Sequence, residues 1–273
     1  MSISPLAGAL ISVTTLLVPA PPPAATTPVT TFTMAHSGSY ESDANGHRLP
    51  RGALLTIFPD SAATDETQIF SPWVTATPHG LSIQASCSAE DALINLPILY
   101  ASPLQINTYL PNDVGTEPYG SCSYTGPTRI LLHTTTGQVI EHDLGTVPSH
   151  PGGFLEGDGV TPVGFHQSGT RVLDCRTGDK SCPLSAGGVP ALLRLYLTGA
   201  ELFTCAGCQA GIQFLFNGRK QATVDVQTVS LGVEVATIRL TDVSGPGTYQ
   251  VTITSTAPQQ SSEVMQVRLS PAV

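Results

Sequence analysis

With 273 residues the chain is long enough for two domains of ordinary size, each burying its own core. Only 11% of the residues are charged and the formal net charge is −9, with Lys180 and Lys220 the only lysines. That composition supplies no basic surface for phosphates and speaks against nucleic acid and anionic membranes as partners.

From the N-terminus, the apolar run Leu6–Val18 and the Pro/Ala segment ending at Ala25 read as a secretory signal over residues 1–25, although no Lys or Arg precedes the run. No later segment approaches membrane-spanning length. Residues 26–47 are rich in Pro, Thr, Ser and Gly and read as an exposed linker or a loose first strand at Val29–Met34. Strands are expected over Arg48–Phe58, then Gln68–Ala76 with Trp73, and Leu81–Ser86 after the Pro78-His-Gly80 turn. Ile94–Tyr100 and Gln105–Leu110 follow as a pair around a Ser-Pro turn, and Thr128–His133 and Gln138–Leu144 as a hairpin around Thr134–Gly137. The Pro- and Gly-rich stretch Thr146–Gly153 marks a domain junction. Beyond it, weakly patterned sequence runs to Gly188. Strands are then expected at Ala191–Leu197, Ile212–Phe216, Gln221–Val226, Val229–Val235, Thr237–Leu240, Tyr249–Thr254 and Val264–Leu269, with Asn217-Gly218 as a hairpin turn. Many short strands without intervening helices predict an all-β protein of two tandem Ig-like antiparallel β-sandwich domains, residues 48–147 and 148–273.

Six cysteines in an exported chain point to disulfides. Proximity favours Cys87 with Cys122, Cys175 with Cys182, and Cys205 with Cys208. Closing the first loop stabilises by about 4 kcal/mol and the second by about 2.5 kcal/mol in the chain-entropy model. A redox role for Cys205-Ala-Gly-Cys208 lacks the helix it needs, and a four-cysteine zinc site with Cys175 and Cys182 has poor spacing.

An internal echo supports duplication. Leu54 and Leu193, and Gln105 and Gln250, are each separated by roughly 140 residues. The segments Leu49–Phe58, Leu99–Asn107, Leu195–Gly199 and Gly247–Val251 together resemble an uncharacterised bacterial family of secreted proteins with a duplicated, C-terminal Ig-like (IPT/TIG-like) β-sandwich region. The resemblance spans about Arg48 to Leu269. It implies the fold and no chemistry. The chain departs from that pattern at Ser102-Pro-Leu-Gln105, where Ser-Pro-Gly-Gln is expected, and in its added cysteines.

No Gly-x-Ser-x-Gly nucleophile elbow is present; the nearest text is His36-Ser-Gly-Ser39. Glu141 and Asp143 fall on one face of a strand about 7 Å apart, a spacing that glycosidases use but that a solvated strand face also produces. His142 alternates with Ile140 and Leu144 and reads as a core-edge residue. The acidic loops Asp60–Glu66 and Glu156–Gly159 offer oxygens to calcium without matching a defined calcium loop. Tyr119 and Tyr124 beside Cys122, and Trp73, are candidates for a glycan-stacking surface, Trp73 reading more simply as core. Catalytic residues and a required cofactor are not expected. The chain therefore reads as a secreted or cell-surface, non-catalytic structural or adhesive module. A carbohydrate-binding module is the alternative, and an extracellular hydrolase a remote one. A cell-surface protein, a polysaccharide or a second copy pairing at an edge strand are the partners left open.

Overall fold

The computed structural model describes residues 28–38, 41–86, 92–111, 127–147, 151–200, 212–256, 259–261 and 264–271. The first half contributes β1 (Phe32–His36), β2 (Leu49–Pro50), β3 (Ala53–Pro59), β4 (Gln68–Val74), β5 (Ser82–Ser86), β6 (Ile94–Asn95), β7 (Ile98–Ser102), β8 (Gln105–Leu110), β9 (Pro127–His133) and β10 (Val139–Val147). They form two five-stranded sheets, ordered β1-β3-β8-β7-β4 and β2-β10-β9-β5-β6. Every pairing is antiparallel except β2 with β10. Alternation along each strand turns Met34, Leu55, Ile57, Ile98 and Ile106 of one sheet toward Ile83, Ile130, Leu132 and Leu144 of the other, and together these fill one buried cluster. The arrangement is that of an Ig-like sandwich with β4 added at one edge.

The second half contains β11 (Gly152–Gly153), β12 (Gly164–His166), α1 (Val172–Thr177), β13 (Ser185–Ala186), β14 (Val189–Pro190), β15 (Leu192–Thr198), β16 (Ile212–Phe216), β17 (Arg219–Ser230), β18 (Val233–Arg239), β19 (Gly247–Thr256), β20 (Gln259–Ser261) and β21 (Met265–Leu269). β15 and β18 form one layer with β11 and β12 at the edge, and β16, β19, β20 and β21 form the other. β17 joins them: its first residues pair with β16 and the rest with β18, through register shifts at Thr223/Asp225 and Thr228/Ser230. Leu193, Leu195, Ala236 and Ile238 of the first layer meet Phe214, Phe216, Val251, Ile253 and Val267 of the second in a separate core. Tyr249 enters β19 with its ring against Phe216 and its hydroxyl donating to the Gly245 carbonyl, the tyrosine corner of Ig-like sandwiches. The disulfide Cys175–Cys182, Cα atoms 5.7 Å apart, ties α1 to the following segment. Cys87, Cys122, Cys205 and Cys208 lie outside the described residues.

The turns follow their sequence signals. Asn217 (φ 47°) and Gly218 (φ 79°) make the two-residue turn from β16 to β17. Other expectations are corrected. Phe32–His36 is a strand buried in the first core, because Phe32 and Met34 face inward, so this stretch is not exposed. The boundary drawn at Val229 is wrong as well: β17 runs on to Ser230, the turn is Leu231-Gly232, and β18 ends at Arg239. The weakly patterned stretch up to Gly188 holds β11, β12, α1 and β13. Leu54 and Leu193 do occupy corresponding strands, β3 and β15, whereas Gln105 opens β8 beside β3 and Gln250 lies in β19 of the opposite layer.

The two halves touch through β3. The Leu54 amide donates to Thr198 Oγ1 at 2.8 Å, and Gly232 lies against Leu54 and Tyr109. Gly232 has φ +66°, and a Cβ there would stand 2.7 Å from Tyr109 Cδ2. Gly232→Ala is therefore expected to destabilise by about 1–3 kcal/mol. The drop in denaturation midpoint should exceed that of Gly218→Ala, which shares a positive φ but meets nothing within 4 Å.

Candidate functional site

The outer face of the sheet β1-β3-β8-β7-β4 is built by the residues that the first core does not take. On β8, Ile106 is buried, so Gln105 and Asn107 turn outward, and the Gln105 side-chain amide donates to Asn107 Oδ1 at 3.1 Å. On β7 a register shift separates the core residues Ile98 and Ala101 by three positions, which brings Tyr100 outward opposite Asn107. Ile69 of β4 stands opposite Tyr100 and is 75% exposed. Val74 is partly buried against the core opposite Ile98, so its neighbour Trp73 points outward and is 47% exposed. Phe58 of β3, 40% exposed, lies on the same side. Leu54 and Tyr109 close this face at the contact with the second half. The result is an open sheet surface with Trp73, Tyr100 and Phe58 around a Gln105–Asn107 amide pair.

Reading Trp73 as a core residue is thus corrected: β4 is an edge strand, and among the described residues no layer covers its outer face. Tyr119 and Tyr124 lie outside the described residues. Sequence reading passed over Tyr100, Gln105 and Asn107 although it singled out the stretch containing them. The bulge at Ile98/Tyr100 shifts the strand's parity, and no local residue announces it.

Of the carboxylate candidates, Glu141 is held in an ion pair. Both Glu141 oxygens accept from Arg129, at 2.5 Å from Nε and 2.7 Å from Nη2. That guanidinium holds the Glu141 pKa below the usual carboxylate range, which leaves no proton to donate near neutral pH. His142 meets Asp43 through Nε2 and packs against Phe32 with ring centroids 5.0 Å apart. Asp43 is also taken on its other oxygen by the Met34 amide at 2.8 Å.

The acidic loops spend oxygens on hydrogen bonds and ion pairs within the protein. Asp60 accepts from the amides of Thr30 and Thr31 and from the Thr30 hydroxyl. Among the described residues no group of three His, Cys, Asp or Glu side chains is placed to hold a metal ion. A cleft of about 640 Å³ opens beside the first of these loops, between Thr64, Asp65, His79, Pro103 and Thr135. Its walls carry hydroxyls and no aromatic ring from Phe, Tyr or Trp. Within the described residues no helix is long and apolar enough to cross a membrane.

No protein-family model and no curated protein sequence matches the chain. Among solved structures, one similar in outline is the mixed-linkage glucan utilization locus protein SGBP-B of Bacteroides ovatus, in complex with a mixed-linkage heptasaccharide. Identity is 10% and the TM-score 0.27, over 89% of this chain and 60% of that one. A likeness of that size carries no argument about a ligand.

Asp158 supplies a pH test of the loop reading. Burial pushes its carboxyl up, but the Thr161 hydroxyl, the Thr161 and Val160 amides and the Arg176 guanidinium outweigh burial and hold its pKa at about 2. Because the folded value lies below the ordinary 3.8, the stabilisation is complete above that value and is lost as pH falls toward 2. Melting temperature measured across this window should fall more steeply for the native chain than for Asp158→Asn. Added calcium should shift neither curve.

Proposed function

We propose that the chain is a non-catalytic extracellular recognition module that adheres to polysaccharide through the outer face of β3, β8, β7 and β4. The observation that carries this is the placement of Trp73 and Tyr100 on one sheet face that no layer of described residues covers, beside the Gln105–Asn107 amide pair. Sugar rings present apolar C–H faces and a rim of hydroxyls. Half-exposed aromatic rings take the former and side-chain amides the latter. The Cys175–Cys182 disulfide fits an oxidising compartment and so supports export.

Affinity electrophoresis in soluble mixed-linkage β-glucan, xylan and galactomannan tests the reading. Retardation by at least one polymer is expected. Trp73→Ala and Tyr100→Ala should each weaken it about tenfold. Because Trp73 is 47% exposed, Trp73→Ala should leave the melting temperature nearly unchanged, whereas Tyr100→Ala, at a partly buried ring, should lower it modestly. Equal retention by the double variant would remove this face from consideration.

A further inference from the structure

The outer face of the second half gathers positive charge that the overall composition hides. On β15, Leu193 and Leu195 enter the core, so Leu192, Arg194 and Tyr196 turn outward. Register places Phe165 of β12 opposite Arg194, and Leu192 opposite Arg239 of β18. Arg239 in turn faces Ala222 of β17, and Lys220 lies two residues along the same side of that strand. Arg194 and Arg239, and Arg239 and Lys220, are therefore diagonal neighbours about 7–8 Å apart, a stripe roughly 15 Å long.

Among the described residues none of these three cations has an ion-pair partner, whereas Arg129, Arg171, Arg176 and Lys180 each do. Asp225, on this face, stands opposite Thr237 and accepts from the Gln227 side-chain amide, and the Asp242 amide donates to Gln221 beside Lys220. Like charges held this close repel. A ligand bearing the opposite charge would relieve that repulsion.

At Arg194 the stripe enters a cleft of about 440 Å³ walled by Phe165, Gln167, Leu192, Arg194 and Tyr196. Phe165, 37% exposed, meets Tyr196 edge-on with centroids 6.3 Å apart. Gln167 Oε1 accepts from the Leu192 amide at 3.0 Å, and among the described residues its NH2 has no hydrogen-bond partner. β12 is fixed from beneath by buried His166, whose Nε2 donates to the Pro183 carbonyl at 2.9 Å while Nδ1 accepts from the Ser168 amide at 3.2 Å. Burial lowers the His166 pKa, so the ring adds no charge to the cleft. The cleft is formed before any ligand arrives.

We propose that this cleft and the Arg194–Arg239–Lys220 stripe bind a linear carboxylated polysaccharide, a polymer of uronate units. Arginine forks match carboxylates in a bidentate manner. The neighbouring aromatic pair offers an apolar wall to a sugar ring, and a row of cations suits a chain charged at successive units better than a single small anion. The inference shares its ligand class with the function proposed above, but it uses other residues on the other half.

The test is affinity electrophoresis of the full chain in polygalacturonate, in its fully methyl-esterified form, and in mixed-linkage β-glucan. Retardation is expected in polygalacturonate and not in the ester, and it should weaken as salt rises. Arg194→Ala with Arg239→Ala should reduce it at least tenfold, while Arg194→Lys keeps part of the effect. Trp73→Ala should leave it intact, so loss of the β-glucan interaction alone would not touch this site. Unchanged retention of the double alanine variant would overturn the proposal. Equal retention in the methyl ester would do the same, as would equal binding of single-stranded DNA, which would reduce the stripe to a general anion surface.

Discussion

A strand turns successive side chains to opposite faces, and that constraint governs the whole molecule. Every residue sent into a core fixes its neighbour on the surface. On β3, Leu55 and Ile57 fill the first core, which forces Leu54, Thr56 and Phe58 outward. On β15, Leu193 and Leu195 fill the second, which forces out Arg194 and Tyr196. The ligand faces proposed for the two halves are in this sense the complements of their cores. They are positioned by the same buried contacts that hold the sheets together.

β3 and β15 occupy matching places in their sandwiches, each flanked by an N-terminal edge strand and by the second strand of a hairpin, β8 or β18. Both faces therefore belong to similarly placed sheets of the two halves. The halves are joined where Thr198 receives the Leu54 amide and Gly232 meets Tyr109, so part of the first outer face is consumed by the contact. What remains open is the portion toward Phe58, Tyr100 and Trp73.

Several elements were legible because their signals are local. Asn217-Gly218 adopts positive φ at both residues, which few other pairs tolerate. The hairpin at Thr134–Gly137 and the core strands around Leu54 and Leu193 were equally plain. Phe32–His36 was read as exposed because Pro, Thr and Ser surround it, yet one apolar stripe is enough when a neighbouring strand stands ready to pair. Gln105 and Gln250 misled because similar β-rich text follows a turn in both places, and such text suits any antiparallel strand.

Sequence by itself determined the fold class and the turns, since propensity, alternation and glycine chemistry act within a few residues of each other. Tertiary structure decided which side of each strand a residue occupies and what stands beside it. A bulge at Ile98/Tyr100 reversed one parity, an uncovered edge exposed Trp73, and strand register set Arg194, Arg239 and Lys220 in line from three separate segments. An overall charge of −9 averages over the chain, whereas a binding surface depends on distances that only pairing between strands creates.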